Sequence, residues 1–258
     1  MGYPVMIIGE SGSGKSTSLR NFAPDELALV NVNGKMLPFR HKFDNTVRTD
    51  SYDEIIRFMK STKCKSIAID DCQYLLANEF MRRSREAGFQ KFTDIATGFW
   101  RLIRSVDELS DDVIVYFLGH VATDENGVQH FKTIGKLLDE KITVEGMFTT
   151  VLHSTINDGQ YYFATQSRND TAKSPMGLFE EYLIPNDLKL VDEALRVYYG
   201  FTPEHTCADC GQAILPSNGA SVEQIVAGTT ATYGRKLCMS CARKAKSAMS
   251  SNNSSGNS

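Results

Sequence analysis

Gly9-Glu10-Ser11-Gly12-Ser13-Gly14-Lys15-Ser16 fills every fixed position of the pattern G-x-x-x-x-G-K-[ST]. Glycines at these places let the backbone curl so that successive N–H groups converge on phosphate oxygens. The Lys15 ammonium is placed to reach the β- and γ-phosphates, the Ser16 hydroxyl to ligate Mg²⁺, and Thr17 to continue the same wall. An apolar run, Tyr3 to Ile8, precedes the loop, and a helical pattern through Leu19 and Phe22 follows it. Strand, loop and helix in that order are the setting the motif requires, and the helix start adds its positive end. The stretch therefore implies a site for a nucleoside triphosphate, ATP, with Mg²⁺.

Such a cation needs a second anchor, ordinarily a carboxylate at the end of a neighbouring strand. Ile67-Ala68-Ile69-Asp70-Asp71 has that form. Asp70 is the expected Mg²⁺ partner, and Asp71 is the expected base or water-orienting group, with Glu10 inside the loop as its rival. A second acidic residue points to hydrolysis as well as binding, hence to an ATPase. A further apolar run, Val113 to Leu118, ends in Gly119-His120, where His120 could sense the γ-phosphate. Charge completion from a neighbouring subunit has candidates in Lys136, Lys141, Arg168 and Lys173. Arg168, directly after a strand, is the first choice. That role implies a homo-oligomer.

Outward from these motifs the chain alternates strands and helices. Leu27 to Val32 closes at the turn Asn33-Gly34, Asp50-Ser51 caps a helix carrying Ile55, Ile56 and Met59, and Ser66 to Ile69 is a buried strand. Helices follow at Gln73 to Glu86 and Gln90 to Leu109. This alternation predicts a mostly parallel sheet covered on both faces. After Leu118 the signals change to hairpins, one around Glu125-Asn126-Gly127 and one joining Phe148–Ile156 to Gln160–Gln166 through Asn157-Asp158-Gly159, so the sheet is expected to gain antiparallel strands. A last helix, Asp187 to Tyr199, presents Leu188, Val191, Leu195 and Tyr198 on one face and stops at Gly200. The expected organisation is an ATP-binding domain at 1–200, a cysteine module at 201–246, and a Ser/Asn/Gly tail at 247–258 whose composition cannot bury enough surface to fold.

The chain has 258 residues, is 41% hydrophobic and carries a net charge of −3, the balance of an ordinary globular protein. No stretch approaches the ~18 apolar residues of a spanning helix, and no secretory leader is evident. A cytoplasmic protein is expected. Residues 1–200 hold 23 Lys/Arg against 28 Asp/Glu, whereas residues 201–258 hold five against three. No global basic field marks nucleic acid, so any such surface must be local. The cluster Arg82-Arg83-Ser84-Arg85 reads foremost as a solvated helix face.

Cys64 and Cys72 read as small packing residues. The other four cysteines form two CxxC units, Cys207/Cys210 and Cys238/Cys241, with 27 residues between them. Paired CxxC turns in a reducing compartment supply a tetrahedral Cys₄ site for Zn²⁺. The insert exceeds the usual spacing of about 15–20 residues, which predicts a zinc ribbon with a longer hairpin. Its basic residues Arg235, Lys236, Arg243 and Lys244 suit either a phosphate backbone or the negative charge of the metal centre.

The series GESGSGKST, SIAIDDCQYL, VIVYFLGHV, FTTVLHSTI and TQSRNDTAKSP resembles the RecA-like ATP-binding proteins of bacteriophages, several of them grouped with single-strand annealing and recombination. The resemblance spans roughly residues 1–200 and stops short of the cysteine-rich end. It implies a RecA-like α/β fold, nucleotide binding and hydrolysis through Lys15, Ser16, Asp70, Asp71 and His120, single-stranded DNA as polymer partner, and a place among phage recombination, repair or replication proteins. Rival readings are an AAA-type loader or packaging ATPase, a nucleotide or small-molecule kinase, and a nucleotide-gated binding module. A loader predicts a helical lid where 147–166 reads as strands, and a kinase predicts an arginine-rich lid that the sequence lacks.

Overall fold

Val5, Met6, Ile7 and Ile8 are fully buried, as expected of a strand with helices over both its faces. In the computed structural model, which describes residues 1–135, 137–201 and 205–254, they form the heart of β1 (Tyr3–Gly9). Four further strands lie parallel to one another and to β1: β2 (Leu27–Asn31), β4 (Ser66–Asp70), β5 (Ile114–Thr123) and β7 (Thr150–Asn157). Short β3 (Asn45–Val47) extends this parallel set beyond β2. The order is β3-β2-β4-β5-β1-β7, continued by antiparallel β8 (Gln160–Ala164) and β9 (Leu183–Pro185), while β6 (Gln129–Phe131) pairs antiparallel with the end of β5. The fold is thus α/β with a mostly parallel mixed sheet. Strand β7 departs from the expected antiparallel addition: it runs parallel to β1, register Ile8 to His153 and Gly9 to Ser154, and only its hairpin partner β8 reverses direction.

Helices α1 (Tyr52–Ser61), α2 (Gln73–Arg82) and α3 (Gln90–Arg104) connect these strands. Ile55 and Met59 on α1, Leu75 and Leu76 on α2, and Phe99, Leu102 and Ile103 on α3 join strand residues Met6, Ile8, Ile67 and Val115 in one buried cluster. A fully buried Leu or Ile contributes about 1.5–3 kcal/mol, so the strand ends that carry polar groups stand on a rigid base. One departure concerns the segment after the loop: in place of a full helix it forms a six-residue 3-10 turn, Ser16–Asn21. Three consecutive Ser/Thr residues compete with the helix for backbone partners, and the Ser18 hydroxyl donates to the Lys15 carbonyl at 2.6 Å. A helix dipole is accordingly a minor contributor here.

The chain divides into two compact units, Met1–Leu188 and Lys189–Ser258, where composition had placed the break at 200. Helix α4 (Leu188–Tyr198) falls almost wholly in the second unit, and its Val197 shares a buried cluster with Cys207, Ile214, Val222 and Leu237. The expected long hairpin between the CxxC units is instead a helix, α5 (Val222–Tyr233), opened by a capping box of Ser221 and Gln224 and closed by left-handed Gly234. Helix α6 (Met239–Ser254) runs into the Ser/Asn/Gly segment that composition leaves unfolded, because Ala245, Lys246, Ala248 and Met249 are good helix formers. The tail positions 255–258, and Lys136, lie outside the described residues. Among the described residues no helix is long and apolar enough to cross a membrane.

Candidate functional site

Strand β1 delivers the loop at the C-terminal edge of the sheet, and Gly9 is fixed there by lack of space. A Cβ at Gly9 would stand 2.6 Å from both the Ser13 hydroxyl and the Ser154 carbonyl. Gly12 and Gly14 take φ of 83° and 98°, conformations that side chains resist, and these bends curl the loop around Ser13. The buried Lys15 side chain folds back into that curl, donating to the Gly9 carbonyl at 2.8 Å and the Glu10 carbonyl at 2.7 Å. Burial lowers its pKa to about 8, against the pull of Asp71 and Asp70 in the other direction.

Asp70 ends β4, two strands away from β1 in the sheet order. The Ser16 hydroxyl nevertheless donates to its Oδ1 at 2.8 Å, so the two residues expected to share one cation already meet. Burial, and then the charge of Asp71, push the Asp70 carboxyl up to about 6. A carboxylate this poorly solvated gains much from a cation beside it.

Asp71 occupies the left-handed region with φ of 62°, a conformation Asp tolerates better than most residues. The turn aims its carboxylate at a ring of donors. Asn33 donates at 3.0 Å, Lys35 at 2.8 Å, and His120 Nε2 lies 3.4 Å away. Burial acts to raise this pKa, but the contacts from His120, Lys35 and Asn33 prevail and hold it well below the usual carboxylate range. Such a weak base is suited to orienting water and poorly suited to taking its proton. His120 is held in turn: its backbone N–H donates to Gln73 Oε1 at 3.2 Å, and Tyr74 meets its ring edge to face at 6.2 Å. Gly119 before it is obligatory, since a Cβ would fall 2.2 Å from the Phe131 ring.

Glu10, the rival base, is exposed and receives a hydrogen bond from Gln129 at 2.9 Å. Ser11 is also exposed. Arg168 is exposed and lies 3.8 Å over the ring of Tyr182. Lys141 and Lys173 are exposed as well, and the Lys173 backbone exchanges two hydrogen bonds of 2.8 Å with Val151. The basic cluster lies at and just beyond the end of α2, where Arg82 pairs with Asp50 at 2.5 Å and Arg83 with Asp94 at 2.8 Å, while Arg85 is exposed. Cys72 is fully buried and Cys64 nearly so, as packing residues should be.

Several residues around the loop carry no motif. Ser154 on β7 donates to the Ser13 carbonyl at 2.7 Å and accepts from Asn186 at 3.1 Å, while Arg20 donates to the Asn186 carbonyl at 2.7 Å. Together they tie the middle of the loop and the turn after it to β7 and to the residue that follows β9. The signal available for Asn186 was its place just before α4, where Asn normally reads as a cap.

In the second unit the sulfurs of Cys207, Cys210, Cys238 and Cys241 all lie within 4.8 Å of one another. Cys210 and Cys238 are 3.8 Å apart, close to the edge of a tetrahedron with Zn–S bonds of about 2.3 Å. The group can hold a metal ion such as zinc. Cys241 sits in the first turn of α6, and the first knuckle is closed by the Cys207 N–H donating to the Gln212 carbonyl at 2.8 Å. Arg235 forms a forked pair with Asp209 at 2.7 and 3.1 Å, so that guanidinium serves the module itself. No family model and no curated protein matches the chain, which leaves the functional reading to this geometry and to the motifs.

Proposed function

We propose that residues 1–188 bind ATP with Mg²⁺ and hydrolyse its terminal phosphoryl group. The observation that carries the reading is the 2.8 Å bond from Ser16 to Asp70, which joins the end of the phosphate loop to a buried strand-end carboxylate. Lys15 neutralises the β- and γ-phosphates once it leaves the loop carbonyls, and Ser16 and Asp70 hold the cation. Bound Mg²⁺ supplies charge neutralisation at the transferring group. Asp71 accepts a hydrogen bond from the attacking water and orients it, and His120, in contact with Asp71, registers whether the terminal phosphate is present. Phosphoryl transfer asks mainly for positioning and electrostatic stabilisation, and a strongly acidic Asp71 meets that demand.

The wider role we propose is that of a RecA-like ATPase in phage DNA recombination, repair or replication, acting on single-stranded DNA. It rests on the order of motifs along residues 1–200 and on a cysteine module fit for zinc. Strands β7 and β8 stand where a loader would carry a helical lid, which favours the RecA-like reading. Phosphate release by the wild type, Lys15→Ala and Asp70→Asn tests the activity. Both substitutions are expected to lower turnover by about a hundredfold to a thousandfold; release that persists at the wild-type rate in Lys15→Ala removes the proposal.

A further inference from the structure

Residues 34–48, the loop after β2 together with β3 and the residue that follows it, carry Lys35, Arg40, Lys42 and Arg48 against a single acid, Asp44, in a chain whose net charge is −3. All four cations are exposed. From Phe39 to Phe43 side chains alternate, with Phe39, His41 and the buried Phe43 turned inward and Arg40 and Lys42 exposed between them. The inward rings pack together, His41 lying 4.7 Å from Phe39 and 5.1 Å from Phe43 by ring centroids, which gives the cations a stiff support. Met36 beside them is 91% exposed, an apolar surface of the kind on which an unpaired base can rest. Arg48 closes the loop on itself, its Cδ 3.9 Å from where a Cβ on Gly34 would stand. A local strip of exposed cations on a stiff support is the electrostatic part of the surfaces that track the backbone of single-stranded nucleic acid.

This loop also touches the proposed catalytic centre. Asn31 Nδ2 donates to the Lys35 carbonyl at 2.7 Å and fixes the backbone, while the Lys35 ammonium, on a side chain 61% exposed, bonds Asp71 at 2.8 Å. An ion pair with one partner in solvent is weak enough for a phosphate to compete for it. We infer that residues 34–48 bind the backbone of a single-stranded nucleic acid, and that Lys35, drawn to a phosphate, releases Asp71 to orient water. The relay rests on the ATPase reading; the binding surface does not.

The test uses the full chain with a fluorescein-labelled single-stranded oligothymidylate, reading anisotropy against salt, and ATP turnover with and without it. R40E/K42E, on exposed positions outside the nucleotide site, is expected to weaken binding at least about tenfold. Loss of two contacts at roughly 0.7 each flattens the salt slope by about 1.4, and turnover without oligonucleotide stays unchanged. R40A/K42A shifts binding the same way by less. Lys35→Met is expected to raise turnover without oligonucleotide to the stimulated rate and to abolish stimulation. Wild-type affinity in R40E/K42E overturns the surface, and normal stimulation in Lys35→Met overturns the relay. Polyglutamate that competes and stimulates as well as the oligonucleotide assigns the surface to an acidic protein and overturns the nucleic-acid inference. If turnover proves independent of Lys15, the ATPase reading and the relay fall together, while anisotropy still decides the surface.

Discussion

The phosphate loop and the cysteine cluster are both small polar constellations, yet they stand in opposite relations to their surroundings. The loop hangs from β1, whose residues Val5 to Ile8 have no exposure at all, and its shape follows from a core that exists without any ligand. The cysteine cluster has eight buried residues in its neighbourhood, two of them proposed ligands, so little core remains once the thiols are discounted. In the first unit the fold makes the site. In the second the site must make the fold.

Removing the metal should separate the two most sharply. Chelation, or Cys207→Ser, is expected to unfold residues 205–254, since structural zinc supplies on the order of 10 kcal/mol to such modules. Circular dichroism should report lost helix from α5 and α6, with nucleotide binding by the first unit intact; joint loss of both breaks the comparison. The converse perturbation is Gly119→Ala. The added methyl meets Phe131 at 2.2 Å, an overpacking expected to cost about 1–3 kcal/mol in the denaturation of the first unit while zinc content stays full.

Acidity sharpens the contrast at one atom. Asp70 titrates at about 6 and Lys15 at about 8, so kcat/KM for ATP should fall below the first value, where Asp70 takes a proton, and above the second, where Lys15 loses one. Because the folded state binds the Asp70 proton more tightly than the unfolded chain does, ionisation of this group opposes folding above about pH 6. That opposition fades as pH falls toward the ordinary carboxylate range. Asp70→Asn should remove the acid limb together with Mg²⁺ dependence; an unchanged profile contradicts the assignment. The smallest effect is expected at the cap of α5. Ser221→Ala deletes the bond accepted from the Gln224 N–H, about 1 kcal/mol, and zinc affinity should weaken by about fivefold if metal and helix fold together.

These contrasts also explain what could be read from the chain. The Gly9–Ser16 stretch and the Asp70-Asp71 pair are each contiguous in sequence, so a tight glycine loop after β1 and acids at the end of β4 were legible. Lys35, Asn33, Gln129, Ser154 and Asn186 act across 32 or more residues, through contacts that exist only when strands are ordered side by side. The order of β5 between β4 and β1 carries no local signal. The helix in place of the expected ribbon hairpin was legible in principle, because Ser221 with Gln224 is a capping box, but the cysteine spacing drew the reading toward a known pattern. The shortened turn after Ser16 follows from Ser16-Thr17-Ser18, whose low helix propensity was outweighed by the motif.

The left-handed backbone at Asp71 bears on which neighbours in sequence space this chain can reach. A glutamate, one methylene longer, would have to adopt φ of 62° with a side chain that cannot bond its own backbone as Asp and Asn do. Variation at this position is therefore biased toward Asp, Asn and Gly, and of these Asp alone carries charge. A glutamate there would carry a strain of about 1–2 kcal/mol that the aspartate largely avoids.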